Sequence, residues 1–312
     1  MRAFVFPGQG AQTIGMGKAL AEAYPAAQAV FDTVDDALGE KLSALIWDGD
    51  ADTLQLTRNA QPALMATSLA AMAALEAEGI TISDAAYVAG HSLGEYSALA
   101  AAGALDIADC ARLLRTRGEA MQNAVPVGEG AMAAVLGLSI AQVEEVVAAA
   151  ADAGVCEVAN ENDPSQTVIS GAKAAVERAA VLAKEAGAKR ALMLPVSAPF
   201  HCALMAPAAQ VMQDALSDVT IRAPRVPVVS NVNASAVTDP DEIRALLVAQ
   251  VAGRVRWSTS VAWMADQGVT SFTEIGAGKA LSGMIRRIAK DAACANVGTP
   301  EEAKAVAAAM KG

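Results

Sequence analysis

One stretch limits what this chain can become more than any other: Val88-Ala89-Gly90-His91-Ser92-Leu93-Gly94-Glu95-Tyr96. Tyr87 to Ala89 read as the end of a short buried strand, and Glu95 to Ala102 as an alanine-rich helix. Between them Gly90-His91-Ser92-Leu93-Gly94 has the G-x-S-x-G pattern of a nucleophile elbow, a serine held on a strained strand-to-helix turn. Such a turn exposes Ser92 Oγ and aims the first N–H groups of the helix at whatever the serine attacks. The pattern alone arises by chance in roughly one chain in ten of this length, so its surroundings must decide the reading.

Those surroundings alternate strands and helices. Ala3 to Phe6 is a compact apolar run ending in the glycine loop Pro7-Gly8-Gln9-Gly10-Ala11-Gln12, and a helix is expected from about Met16 to Ala23. The loop has neither the G-x-G-x-x-G spacing of a dinucleotide fold nor a G-K-[ST] ending, which argues against nucleotide binding. Phe31 to Trp47 read as helical, and Pro62 as the start of a buried helix closed by Gly79. The alternation predicts a mainly parallel sheet of the α/β-hydrolase-like class, built from residues 1–126 and 198–312.

The pattern changes between Pro126 and Pro199. Ala131 to Leu138 reads as a strand and Ile140 to Ala153 as a helix. Val155 to Ala159 and Thr167 to Ser170 read as short strands joined by a loop from Asn160 to Ser165. A helix over Ala172 to Ala186 and a strand over Arg190 to Val196 complete the order β-α-β-β-α-β, a ferredoxin-like small subdomain inserted at 127–197. Ser197 to Cys202 then form a turn into a helix through Met205 and Leu216. Val226 to Ser230 is a strand with the polar tip Asn231-Val232-Asn233, and Asp239-Pro240 opens the helix carrying Gln250. Ser271 to Ile275 is expected as the last strand, before a helix bearing Arg286, Arg287 and Lys290.

Composition narrows the chemistry. The net charge of −11 argues against general nucleic-acid binding. The longest apolar run, Ala63 to Leu75, is too short to span a bilayer, and one positive charge before Pro7 is no signal peptide. Four widely spaced cysteines without a C-x-x-C pair fit reduced thiols in the cytoplasm. Two histidines, His91 and His201, argue against a structural zinc site. A serine nucleophile needs a base within hydrogen-bond reach. His91 neighbours Ser92 on the elbow and should point away from its Oγ, which leaves His201 as the base.

One charge is out of place. The helix from Ile107 to Asn123 carries an apolar stripe of Cys110, Leu114 and Met121, and Arg117 falls in its middle, with Arg112, Arg115 and Glu119 on the solvated face. A buried guanidinium must be paired. It either bridges to an internal carboxylate or lines a pocket and waits for a ligand carboxylate, and the pattern leaves both readings open.

Taken together these residues resemble the malonyl-CoA:acyl carrier protein transacylase family of type II fatty acid synthesis. The resemblance rests on Phe6 to Gly10, Gly90 to Tyr96, Arg115 to Gly118, Pro199-Phe200-His201, Ser230-Asn231-Val232, Gln250, Val255-Arg256-Trp257 and Gly276 to Lys279, and covers nearly the whole chain. Ala11, Arg254 and Ala277 depart from the family pattern, where serine, proline and proline are common. The resemblance implies that Ser92 is malonylated by malonyl-CoA and then discharged onto the phosphopantetheine thiol of acyl carrier protein. No bound cofactor or metal is implied. His201 would be the base, held by the backbone carbonyl of Gln250, with the N–H groups of Gln9 and Leu93 as the oxyanion hole. Arg117 would grip the malonyl carboxylate. Phe200 would favour malonyl over methylmalonyl units, with Gln9, Asn160 and Asn162 also contacting substrate. Arg286, Arg287 and Lys290 are candidates for docking an acidic carrier protein, unless they form only a solvated helix face. A cytoplasmic monomer is expected. A serine hydrolase or thioesterase would use the same elbow and base, a polyketide pathway could use the same transfer, and a docking module with a decayed site is the non-enzymatic alternative.

Overall fold

The computed structural model describes residues 1–196 and 198–312, so the turn expected at Ser197 falls partly outside the described residues. In chain order the strands are β1 (Arg2–Phe6), β2 (Tyr87–Gly90), β3 (Gly130–Leu136), β4 (Cys156–Asp163), β5 (Gln166–Ala172), β6 (Arg190–Met193), β7 (Val228–Val229), β8 (Ala236–Val237), β9 (Ser271–Ile275) and β10 (Ala293–Val297). They form two sheets, of order β10-β9-β1-β2-β7-β8 and β4-β5-β3-β6.

Side-chain alternation along β1 shows how the larger sheet is covered. Ala3 and Val5 enter the core on one face and Phe4 and Phe6 the core on the other, all fully buried, as the two-residue period of a strand requires. A strand covered on both faces suits the middle of a parallel sheet, and β1 pairs parallel with both β2 and β9. Among the described residues of this sheet only β8 runs antiparallel, against β7.

The smaller sheet is antiparallel throughout. Along β3, Ala131, Ala133 and Val135 pack on its own helices Ile140–Ala149 and Lys173–Glu185, whereas Met132 and Ala134 face the large core. The two bodies are sewn together at Val255. Its N–H donates to Ala159 O at 2.8 Å, and its carbonyl accepts from the Glu161 N–H at 2.9 Å. Arg254 pairs with Glu144 and Glu161, both at 2.8 Å, and Arg287 with Asp163 at 2.7 Å across the same seam. Arg254, a departure from the family pattern, is thus part of the joint.

Several local expectations are corrected. The helix expected from Pro62 starts at Thr57, with Pro62 inside it; Leu56 precedes it without a side-chain cap, so nothing in the sequence marks the true start. The single helix expected over Phe31 to Trp47 is two, Pro25–Leu38 and Leu42–Asp48, separated by Gly39 at φ 65°. Asn160 to Asp163 are strand rather than loop, because Asn160 and Asn162 turn into a cavity and β4 turns only at Pro164-Ser165. Ser271–Ile275 is not the last strand: the half-exposed, alanine-rich β10 adds to β9 as an edge, and the helix Pro300–Lys311 follows. Arg115 is partly buried, not solvated, donating to Asn59 Oδ1 at 2.6 Å and pairing with Glu40. Lys290 lies past the end of its expected helix, which spans Ala280–Ile288.

Candidate active site

The elbow forms where β2 ends and the helix Leu93–Ala101 begins. Ser92 between them has φ 54° and ψ −110°, outside the regions an L-residue ordinarily adopts and a strain of about 1–3 kcal/mol. Two close approaches hold it there. A Cβ on Gly90 would lie 1.9 Å from the Gly94 backbone, and one on Gly94 2.3 Å from Phe6 O, so β1, the turn and the helix meet with no room for side chains. Asn231 then pins the turn from β7's side: its Oδ1 accepts from the Ser92 N–H at 2.8 Å and its Nδ2 donates to Gly90 O at 2.7 Å.

His201 also sits at positive φ, 58°, and places Nε2 2.8 Å from Ser92 Oγ. Its Nδ1 lies 3.0 Å from Gln250 O and 3.1 Å from Gly253 O. Carbonyl oxygens only accept, so Nδ1 carries the proton and Nε2 is left to accept from the serine hydroxyl. Burial, and then the charge of Arg117, push the imidazole down to about 3. It is therefore neutral at pH 7, the form a base requires. His91 does point away, bonding Asn162 Oδ1 at 2.9 Å and packing on Trp257.

Arg117 reaches the serine because Gly118 lets two helices touch: a Cβ there would stand 2.6 Å from Arg58 Cα. The guanidinium is 1% exposed. One NH group donates to Gln61 Oε1 at 2.8 Å; the other donates to Gln250 Oε1 at 2.8 Å and to Ser92 Oγ at 3.1 Å. It lies 5.6 Å from the centre of the Tyr96 ring, a cation–π contact. Arg117 makes no ion pair among the described residues, and its Nε has no partner. The carboxylate nearest in the network is Glu95, 2% exposed, whose Oε2 accepts from Gln250 Nε2 at 2.7 Å and the Asn231 N–H at 3.1 Å. Burial raises Glu95 to about 7.

A cavity of about 440 Å³ opens between the two sheets onto Ser92 Oγ. Gln9, Leu93, Asn160, Asn162, Phe200 and Arg117 all line it, so the structure brings these expected residues together. Among the described residues no acceptor meets the backbone N–H of Gln9 or Leu93. Arg286 is exposed on the last turn of a helix whose Leu281 and Met284 border the cavity, and Arg287 is committed to Asp163. Neither they nor Lys290 line the cavity. Among the described residues no three His, Cys, Asp or Glu side chains cluster as a metal site. Sequence reasoning missed the side chains of Gln61, Gln250, Asn231 and Glu95. The signal available for Gln61 was a buried amide directly before the apolar run that starts at Pro62.

The chain matches the acyl transferase domain family over residues 3–307. It is 48% identical over 300 residues to the malonyl CoA-acyl carrier protein transacylase of Bacillus subtilis, covering 96% of this chain and 94% of the relative. It is similar to the crystal structure of acyl-carrier-protein-S-malonyltransferase from Bartonella henselae, with a TM-score of 0.97, 53% identity, and 100% and 99% of the two chains covered. A malonyl-transacylase solved in complex with its type II PKS acyl-carrier protein superposes with a TM-score of 0.94 at 41% identity, covering 97% of both chains. By its sequence, its fold and the place of its serine, this chain belongs to the acyl transferase family.

Proposed function

We infer that the chain moves a malonyl group from coenzyme A to acyl carrier protein, the transfer its relatives are named for, and so supplies extender units for fatty acid synthesis. The observation that carries the acyl preference is Arg117: a buried guanidinium with no carboxylate partner and an unbonded Nε, its NH group 3.1 Å from Ser92 Oγ. An uncompensated buried charge is costly, and a malonyl carboxylate two carbons from the reacting carbonyl would supply the missing acceptors.

In this reading Ser92 Oγ attacks the thioester carbon while His201 Nε2 takes its proton. The carbonyls of Gln250 and Gly253 hold the imidazole by Nδ1–H and would steady the imidazolium, so two dipoles stand where many hydrolases use a carboxylate. The N–H groups of Gln9 and Leu93 would receive the developing oxyanion, and losing one such donor costs about 3–4 kcal/mol. Coenzyme A leaves as its thiol on receiving the proton from His201. The phosphopantetheine thiol of the carrier then repeats the sequence in reverse on the malonyl-serine ester. No bound cofactor is needed for either half.

Phe200, beside His201 and lining the cavity, would limit the space beside the acyl α-carbon, and Asn160 and Asn162 would face the pantetheine arm. Arg286, exposed on the last turn of the helix whose Leu281 and Met284 border the cavity, would meet an acidic carrier, helped by Lys290, with Arg287 only partly available beyond its bond to Asp163. Among the described residues no helix is long and apolar enough to cross a membrane, and a cytoplasmic monomer remains our expectation. A polyketide carrier as acceptor is a second reading, favoured by the likeness to a type II PKS malonyl-transacylase. Incubation with malonyl-CoA alone separates transfer from hydrolysis: a stable malonyl-enzyme supports transfer, and steady malonate release contradicts it. Adding fatty acid and polyketide carriers in turn then ranks the acceptors.

A further inference from the structure

Behind Gln250, on the side away from Arg117, lies a second buried carboxyl group that the transfer mechanism leaves without a role. Glu95 stands in the first turn of the elbow helix, 2% exposed, and makes no ion pair among the described residues. Its Oε2 accepts from Gln250 Nε2 at 2.7 Å. That bond, with a second from Nε2 to Ser92 O at 3.0 Å, fixes which way the Gln250 amide faces, because both neighbours are acceptors. The other end of the amide, Oε1, is thereby turned onto Arg117 at 2.8 Å. The same Oε2 accepts from the Asn231 N–H, and the Asn231 side chain holds both Ser92 N–H and Gly90 O. One carboxylate thus sets the nucleophile's turn and the orientation of the guanidinium beside it.

We propose that Glu95 is a positioning residue for acyl selection, which presents Arg117 through Gln250 and gives up its own charge, by taking a proton from solvent, when a malonyl carboxylate arrives at Arg117. This rests on the malonyl reading above. The charge count supports it. Arg117 and an ionised Glu95 sum to zero, and a malonyl carboxylate added to them would bury one net negative charge, which is expensive; protonation of Glu95 restores the balance. The proton adds to Oε1 while Oε2 keeps accepting from Gln250 and Asn231; the Ser230 hydroxyl, which also hydrogen-bonds the carboxylate, can donate or accept and so serves either form. Burial already raises Glu95 to about 7, with Arg117 the charge that opposes the rise. The other titratable groups around it are Tyr96 on its own helix, Cys110 on the helix of Arg117, and His91 and His201, both histidines depressed by burial; Gln250 and Asn231 bring no charge.

The experiment is calorimetric binding of malonyl-CoA to a Ser92→Ala variant at pH 8 in two buffers of different ionisation enthalpy. At that pH both histidines are neutral before and after binding, so they take up no proton. We expect uptake of more than about half a proton per malonyl-CoA bound, and a Kd that weakens with rising pH by up to about tenfold per unit between pH 7.5 and 9. Adding Glu95→Gln, which keeps the amide-facing acceptor, should abolish both effects. No proton uptake together with a pH-independent Kd in Ser92→Ala alone overturns the proposal, even if the double variant does not fold. Retention of the uptake after Glu95→Gln overturns it as well. Intact-mass analysis of the wild type keeps the two claims apart: absence of any malonyl adduct there defeats the malonyl reading itself, whereas an adduct without proton uptake defeats only the role of Glu95.

Discussion

Replacing Arg117 by Ala is the perturbation whose size follows most directly from the geometry. The guanidinium is fully buried next to Ser92 Oγ, so a malonyl carboxylate bound there exchanges bulk water for this one partner. Removing one member of a buried charge pair costs about 3–5 kcal/mol, which is a loss of about two to four powers of ten in kcat/KM for malonyl loading. An acetyl group makes no use of the charge and must leave Arg117 desolvated, so acetyl loading should rise. The variant will also be less stable: Gln61 and Gln250 each lose the donor at 2.8 Å to their Oε1, at about 1–3 kcal/mol for each buried acceptor left unpaired. The assay therefore reads the ratio of malonyl to acetyl kcat/KM by stopped acyl-enzyme formation, from which the folded fraction cancels. A ratio that falls by less than about tenfold would refute the clamp.

Other consequences can be measured separately. Because the charge of Arg117 is the second cause of the low value of His201, after burial, Arg117→Gln should raise the imidazole titration seen by NMR, while wild-type loading should keep its activity well below pH 6.5; an acid limb near 6.5 in the free enzyme contradicts this. His201 folds with a depressed value, near 3 against 6.5, so its contribution to stability is lost as pH falls from 6.5 toward 3; Glu95, raised from 4.5 to about 7, contributes below 4.5 and loses its effect as pH rises to 7. Melting temperatures of His201→Gln relative to wild type should accordingly shift in the variant's favour as pH falls below 6.5, and a constant difference would count against a buried neutral histidine. Gly94→Ala must push a methyl to 2.3 Å from Phe6 O; loss of Ser92 acylation and a lowered melting temperature are expected, and a normal enzyme would show the elbow to be looser than described. Arg286→Glu should weaken transfer to the carrier more than loading from malonyl-CoA without altering the melting temperature, whereas Arg287→Glu should also lower it, since Asp163 beneath has a fully buried carboxylate; equal loss in both half-reactions sinks the docking role.

The sequence revealed the parts of the site that local pattern encodes. Ser92 is marked by two glycines whose spacing reflects backbone contact, and Arg117 by its violation of an apolar stripe that the structure confirms at Cys110, Leu114 and Met121. What remained hidden depends on distant segments meeting. Gln61 matters only because Gly118 brings its helix against that of Arg117, and the Gln250 amide only because Glu95, 155 residues earlier, orients it. Elements were misplaced where the usual markers are silent, as at the uncapped start at Thr57. The polar run Asn160 to Asp163 read as loop because polarity ordinarily means water, yet here Asn160 and Asn162 face a cavity while Glu161 and Asp163 pair with Arg254 and Arg287.

The central claim is that Ser92 carries a malonyl group between two thiols. Intact-mass analysis of the protein after exposure to malonyl-CoA, followed by addition of carrier protein bearing free phosphopantetheine, tests it in one sequence. The account predicts a single malonyl adduct on Ser92, absent from Ser92→Ala, that persists in buffer and disappears when the carrier gains the same mass. An adduct that survives Ser92→Ala, or one that decays to malonate as fast without carrier as with it, would contradict the account.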